Sequence, residues 1–326
     1  MSEKPPESPL VSVIIPAYNA SEFIRESLDS VFAQTFTDFE VIVINDGSPD
    51  TEQLERALQR FPDNLRYIKQ ENRGAAAARN TGLRAANGEL VAFLDADDTY
   101  SPAFLEKQIE FLERTNADFV FCDALLFGES PLAGRTFMQV QPPRGEVTPE
   151  TLLTVDVTVL TSTVLARRAP ILEAGLFDES MRRGHDFDLW LRLAKRGVRF
   201  AYHREALAQH RIVESGLSGG TISQLERTLA VLEAIQAKGL TPSEQAALEC
   251  NKIRTLRELA LENGKERLID RDFAGARKYF NEARKFRHSW KLIFVCLALR
   301  VSPDVLRHIY RRRLPVEDGY QEKVAD

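Results

Sequence analysis

Asp95 and Asp97 stand two residues apart at the end of the apolar run Leu90 to Leu94. In an extended chain alternate side chains point the same way, so both carboxylates face one side. That arrangement suits a hard divalent cation, Mn2+ or Mg2+, which takes oxygen ligands from two acids and completes its shell with substrate phosphates. Taken alone, Asp95-Ala96-Asp97-Asp98 describes an acidic turn before a helix equally well. Other groups capable of chemistry gather in similar places. Tyr18 and Asn19 follow Val11 to Ile15, Asp46-Gly47-Ser48 follows the run Phe39 to Ile44, and Arg73 and Arg79 bracket the start of an alanine-rich stretch.

The elements that must position these groups alternate. Strands are predicted at Val11 to Ile15, Phe39 to Ile44, Leu65 to Lys69, Leu90 to Leu94 and Phe119 to Leu126. Helices are predicted at Glu22 to Ala33, with Asn19 and Ser21 as caps, and at Thr51 to Phe61, with Asp50 near its cap. Two more are predicted at Ala75 to Ala86 and Pro102 to Arg114. Such alternation predicts an α/β fold with a mostly parallel sheet flanked by helices. Ligands of such sheets bind beyond the carboxyl ends of the strands, so the loops after Ile15, Ile44 and Leu94 should share one cleft. Residues 128–147, rich in Gly and Pro, read as an irregular segment over that cleft. A helix at Phe187 to Lys195 and a short strand at Val198 to Tyr202 follow, and beyond about residue 220 only helical patterns remain, at Leu225 to Ala237, Ser243 to Glu262 and Phe273 to Phe286. The expected domains are a loose leader over 1–10, the α/β domain over 11–218 and a helical region over 219–326.

Five segments occur in a telling order: Val-Ile-Ile-Pro-Ala-Tyr-Asn-Ala at 13–20, Asn-Asp-Gly-Ser-Pro-Asp at 45–50, Asn72-Arg73-Gly74 with Ala78-Arg79-Asn80-Thr81-Gly82, the Asp-Ala-Asp-Asp run, and Gly184-His185-Asp186-Phe187-Asp188-Leu189-Trp190. Together they resemble the family 2 glycosyltransferases, whose GT-A fold is a Rossmann-like sheet; the resemblance spans about residues 11–197 and adds a C-terminal α-helical extension to be explained. It implies transfer of a sugar, with inversion, from a nucleotide-sugar, a UDP-sugar in the first instance, to a hydroxyl of a glycan or lipid-linked saccharide, as in cell-surface polysaccharide synthesis.

The resemblance assigns Pro16, Ala17, Tyr18 and Asn19 to the wall around base and ribose, and Asp46 to the imide N–H of the base, which a carboxylate can accept. Tyr18 packing on the sheet edge and Asp46 simply forming a turn are the structural alternatives. Arg73 and Arg79 are candidates for orienting phosphates, since guanidinium groups bind them in a bidentate way, with Arg79 and Asn80 pinning loops as the alternative. Asp95 and Ala96 line the donor site, and Asp95, Asp97 and His210 are the candidate metal ligands. Asp186 is the candidate general base, with an N-cap for the helix behind it as the alternative. Two positions depart from the family pattern: His185 stands where Glu commonly precedes this Asp, and Val213 falls where a His is usual. They sustain a second reading, a catalytically silent nucleotide-sugar-binding or scaffold protein.

Composition sets the remaining bounds. With 326 residues, 44% hydrophobic and 28% charged, the chain can bury a full core, and its net charge of −5 argues against a nucleic-acid partner. Three dispersed cysteines give no disulfide or zinc pattern, and the polar start lacks a secretory run, so a cytoplasmic location is expected. Asp272 to Arg284 resembles one tetratricopeptide-like helix pair, a single copy and no array. Trp290 to Leu299 is apolar among Lys291, Arg300, Arg307 and Arg311 to Arg313. The stretch 290–313 therefore reads either as a buried helix with a basic end or as a peripheral contact with the inner membrane face.

Overall fold

The computed structural model describes residues 8–62, 64–212, 221–286 and 290–311; most of the leader, Val213, Arg312 and Arg313 lie outside them. The chain divides into two compact units, residues 1–219 with 238–248, and 220–237 with 249–326.

In the first unit β1 (Val11–Ala17), α1 (Ile24–Phe32), β2 (Phe39–Asp46), α2 (Thr51–Leu58), β3 (Leu65–Gln70), α3 (Ala75–Ala85) and β4 (Leu90–Phe93) alternate as predicted. There follow β5 (Thr99–Tyr100), α4 (Phe104–Thr115), β6 (Phe119–Gly128), the short α5 (Phe137–Val140) and α6 (Pro149–Leu153), β7 (Val164–Arg167), α7 (Arg168–Glu173), α8 (His185–Lys195) and β8 (Phe200–Ile212). One eight-stranded sheet runs β3-β2-β1-β4-β7-β6-β8-β5. The pairs β1–β2, β1–β4, β2–β3 and β6–β8 are parallel, while β7 is antiparallel to both its neighbours and β5 is antiparallel to β8. The sheet is thus mostly parallel, with an antiparallel insertion.

Strands β1, β2 and β4 are buried on both faces, which is why they read as unbroken apolar runs. Val11, Val13 and Ile15 pack with Ile24 and Leu28 of α1 and Leu54 of α2 on one face. Ile14, Ile42 and Ile44 pack with Ala78 and Leu83 of α3 and Leu189 and Trp190 of α8 on the other. The strand order reverses direction at β1, the place where such sheets open a crevice. Pairing of β1 with β4 ends at Ile14–Phe93, whereas pairing with β2 continues to Ala17–Asn45, so the strands part between β1 and β4.

Helix α2 starts behind Asp50 as expected, whereas α1 starts at Ile24 behind Phe23 rather than at Asn19 or Ser21; neither N-cap makes a side-chain cap bond. The cap-type residues serve the loops instead: Asn19 N–H donates to Ser48 Oγ at 2.6 Å and Ser21 N–H to Asp50 Oδ2 at 2.8 Å, tying the loop after β1 to the loop after β2. The strand predicted at 198–202 proves to be the start of β8, which runs beside β6 over its whole length, with register shifts around Asp123. The 128–147 segment contains α5, anchored by Met138 N–H on Asp123 Oδ1 at 2.8 Å.

The second unit holds α9 (Thr221–Gln236), the part of α10 (Pro242–Ile269) from residue 249 on, α11 (Phe273–Phe286), α12 (Trp290–Val301) and α13 (Pro303–Arg311). Its core includes Ala260, Leu268, Phe280, Leu292, Cys296 and Leu299. Among the described residues no helix is long and apolar enough to cross a membrane.

Candidate active site

The loop after β1 meets the loop after β2 through Asn19 and Ser21, the loop after β3 joins them, and Asp95 after β4 is tied to α3 through Arg79. Gly47, at φ +63°, is the tightest point: a Cβ there would lie 2.6 Å from Asn72 N, so only glycine lets the loop after β3 approach the loop after β2. Asp46, buried at the end of β2, clamps the same junction. Its Oδ1 accepts from Gln70 Nε2 at 2.8 Å and Arg73 N–H at 2.9 Å, and its Oδ2 accepts from Gly74 N–H at 2.7 Å. It does more than form its own turn: it fixes the entrance to α3. Pro16 pairs with Ile44 and is partly exposed, while Ala17 is buried and contributes strand end rather than an open side chain. Tyr18 is 54% exposed, which rules out burial against the sheet edge and leaves the ring open. Asn19, exposed beside it, takes the left-handed φ of 51°.

Arg79 is the hub. Its guanidinium is buried, donates from Nη2 to Asp95 Oδ1 at 2.5 Å, and meets His185 Nε2 from Nη1 at 2.7 Å. The ring of Phe177 lies 5.8 Å from its central carbon. Burial and the adjacent Arg79 charge both push the His185 pKa down, so the imidazole is neutral and accepts at Nε2. His185 is thereby a neutral acceptor for Arg79. Asn80 pins a loop, as one of its alternatives held: its amide exchanges two bonds with the backbone of Phe177, at 2.8 and 2.9 Å. Arg73 is half exposed and lies 3.6 Å from Glu179.

The acidic run is no solvated turn. Asp98 is 1% exposed; its Oδ1 accepts Arg211 N–H at 2.8 Å and its Oδ2 holds His210 Nδ1 at 3.0 Å. Strand β5 follows Asp98 directly and pairs with Ala208–Gln209, which brings these β8 residues to the loop. Burial opposes the charge of His210, but the Asp98 hydrogen bond and the surrounding carboxylates outweigh it and hold its pKa at about 9. His210 is thus a cationic partner of Asp98, bonded to it through Nδ1. Among the described residues no three His, Cys, Asp or Glu side chains form a ready metal cluster, so His210 is not gathered with Asp95 and Asp97 as a ligand set. Arg211 bonds the carbonyl of Asp97 at 3.0 Å, and its guanidinium lies 4.8 Å from the ring of Phe23 and 4.3 Å from that of Phe127. Ala96 is buried between the two acids.

Asp97 is the least compensated member, with the nearby His210 charge opposing the rise in its pKa. Burial, then Asp98 and Asp95, raise its pKa to about 6. Asp95 has Arg79 and Asp98 has His210, while no ion pair forms at the Asp97 carboxylate among the described residues. Two oxygen donors with excess negative charge fit Mn2+ or Mg2+.

Asp186 stands one residue inside α8; the N-cap is Gly184, at φ +67°. The carboxylate still satisfies one first-turn donor, Phe187 N–H on Oδ1 at 2.8 Å, and Thr161 Oγ1 donates to Oδ2 at 3.4 Å. The next residue, Ser162, accepts Asp95 N–H on Oγ at 3.1 Å. The buried turn Thr161–Thr163 therefore joins the end of β4 to the start of α8, alongside Arg79. Sequence reasoning missed this turn; its signal was three consecutive hydroxyl residues, 161–163, inside the apolar stretch 159–166.

The family model described as Glycosyl transferase family 2 matches residues 12–173. A glycosyltransferase of Rickettsia typhi (strain ATCC VR-144 / Wilmington) is 31% identical over 266 residues, 78% of this chain and 80% of its own length. The chain belongs to glycosyl transferase family 2. TuaG of Bacillus subtilis (strain 168), a family relative named for teichuronic acid biosynthesis, is 30% identical over 70% of this chain and 89% of its own. Among solved structures, the mannosyltransferase PcManGT of Pyrobaculum calidifontis, in complex with GDP-Man and Mn2+, aligns with a TM-score of 0.62 at 21% identity, over 94% of this chain and 86% of that one. S. aureus TarS 1-349 in complex with UDP aligns at 0.55 and 19% identity, over 94% and 92%. These two establish the GT-A fold.

Proposed function

We propose that this family 2 glycosyltransferase moves a sugar from UDP-sugar to a hydroxyl of a glycan or lipid-linked saccharide by a single inverting displacement, in cell-surface polysaccharide synthesis. The observation that carries this reading is the joining of Asp95 to the start of α8 through Arg79 and the Thr161–Ser162 turn. These links support reading Asp95 and the candidate base as parts of one site. The name of TuaG and the nucleotides bound by PcManGT and TarS support the substrate classes.

In this mechanism Asp186 accepts the proton of the attacking hydroxyl, while the Thr161 hydroxyl and the Phe187 N–H hold its carboxylate in place. Asp95 and Asp97 would hold a divalent cation, which when bound supplies charge stabilisation to the departing diphosphate. Arg79 fixes the rotamer of Asp95, and Asp46 fixes the loop from which Arg73 reaches toward phosphate. The open ring of Tyr18 stacks on the base.

Purified protein with Mn2+ is expected to release UDP when offered UDP-sugars and a hydroxyl acceptor; a flat response to every nucleotide-sugar, in binding and in turnover, would favour the silent scaffold instead. Tyr18→Ala is expected to weaken donor binding about tenfold, since one lost stacking contact is worth about 1–3 kcal/mol. Titration of UDP by calorimetry checks it, and unchanged affinity removes Tyr18 from the donor site.

A further inference from the structure

Successive residues of a helix turn by about 100°, so Trp290, Phe294, Leu297 and Val301 of α12 fall within a stripe about 60° wide. All four are exposed, Trp290 at 64%, Phe294 at 62% and Val301 at 81%. The opposite side of α12 is already satisfied: Leu292, Cys296 and Leu299 are in the core of the second unit. A helix at a protein surface normally turns polar residues outward, and α12 turns out a second apolar face. Helix α13 repeats the pattern with exposed Val305 and Ile309, while Leu306 and Tyr310 pack inward.

Charge indicates what covers this face. Lys291 and Arg300 are exposed and lie about a quarter turn to either side of the stripe. Residues 285–313 hold eight Lys and Arg against one acid, Asp304, in a chain whose net charge is −5. Trp290 sits edge-on to Phe294 at 5.9 Å with the Lys291 ammonium 5.7 Å from its ring, an aromatic-and-cation pairing suited to the boundary between headgroups and acyl chains. At 12 residues α12 is too short to span a bilayer, which takes about 20. We infer that the outward face of α12, with Val305 and Ile309 of α13, docks the protein on an anionic lipid surface, lying in the plane of the interface.

The two tryptophans make the test direct. Trp190 is 1% exposed, so a change in emission on adding vesicles reports Trp290. The full chain is expected to sediment with phosphatidylcholine vesicles containing phosphatidylglycerol and to shift its emission to the blue, with binding falling as salt rises. Phe294→Ser with Leu297→Ser should abolish both signals. Lys291→Glu with Arg300→Glu should weaken binding more than about tenfold, the apolar face being intact. All four positions are exposed, and donor turnover in solution should be unchanged. Vesicle binding reads lipid contact and not transfer, so its failure leaves the reading of the active site standing. Absence of binding to the anionic vesicles overturns the inference, as does equal binding to pure phosphatidylcholine. A lipid-free dimer that the Phe294 and Leu297 changes dissociate would assign the face to a second copy and overturn it too.

Discussion

Asp186→Asn is expected to lower the rate of sugar transfer about a thousandfold while leaving the fold and donor affinity intact. A positioned base contributes about a hundredfold to ten-thousandfold, and an amide cannot take the proton. The amide is a sparing change here: its oxygen can still accept Phe187 N–H, the contact that orders the first turn of α8. Donor groups lie on the far side of Arg79, at Asp95 and the loops after β1 and β2, so nucleotide binding should survive. Single-turnover transfer measured alongside donor-induced thermal stabilisation separates the two. Normal transfer would dismiss Asp186 as the base, and a parallel loss of donor binding would give it a binding role. The neighbouring acid, Asp188, is no rival: it is buried, pairs with Arg192 and Lys238, and holds α8 to the residues around 238.

Why Asp186 was legible in the sequence and its supports were not is a matter of distance along the chain. The parallel strands declared themselves because a strand covered on both faces must be apolar throughout, as Val41 to Ile44 are. Strands β5 and β7, with two and four residues, are too short to show any period, and β8 mixes His, Arg and Glu into its alternation. The Asp95–Asp97 spacing is local and could be read directly. Pairings made across the fold could not: Arg79 with His185 spans 106 positions, and Asp98 with His210 spans 112. Asp98 read as the tail of an acidic turn; only the antiparallel contact of β5 with β8 reveals it as the counter-ion of His210. Likewise Asn19 and Ser21 looked like helix caps because caps and inter-loop clamps call for the same short polar side chains. Exposure of α12 was undecidable from pattern, since an apolar helix buried on one side reads the same as one apolar all round; the coordinates separate Leu292 from Phe294.

The second large effect concerns Asp97, where stability and function should move in opposite directions. In the folded protein burial and the carboxylates of Asp98 and Asp95 raise its pKa from 3.8 to about 6. A carboxyl whose folded pKa lies above its unfolded value costs stability when it ionises: nothing is lost below the unfolded pKa, and the penalty grows as pH rises through 3.8 and is complete above about 6. Asp97→Asn removes the charge and keeps the shape. At pH 7 without metal the variant should therefore be more stable than the parent by about 1–3 kcal/mol, and at pH below 4 the two should melt together. Mn2+ reverses the order. A cation held by Asp95 and Asp97 neutralises the same repulsion, so Mn2+ with UDP should raise the melting temperature of the parent and leave that of Asp97→Asn nearly unmoved, with transfer reduced by two orders of magnitude or more, as expected for a lost metal ligand. Asp95→Asn cannot serve as the cleaner probe, because it leaves the buried Arg79 guanidinium without its carboxylate and confounds stability with chemistry. If Asp97→Asn is destabilised without metal, its carboxylate is engaged by a cationic group of the fold; if it keeps the full response to Mn2+, the cation is held elsewhere. Gain in the apo state together with loss of the Mn2+ response is the signature of an acid placed at a cost to the fold so that a cation and a diphosphate can be bound there.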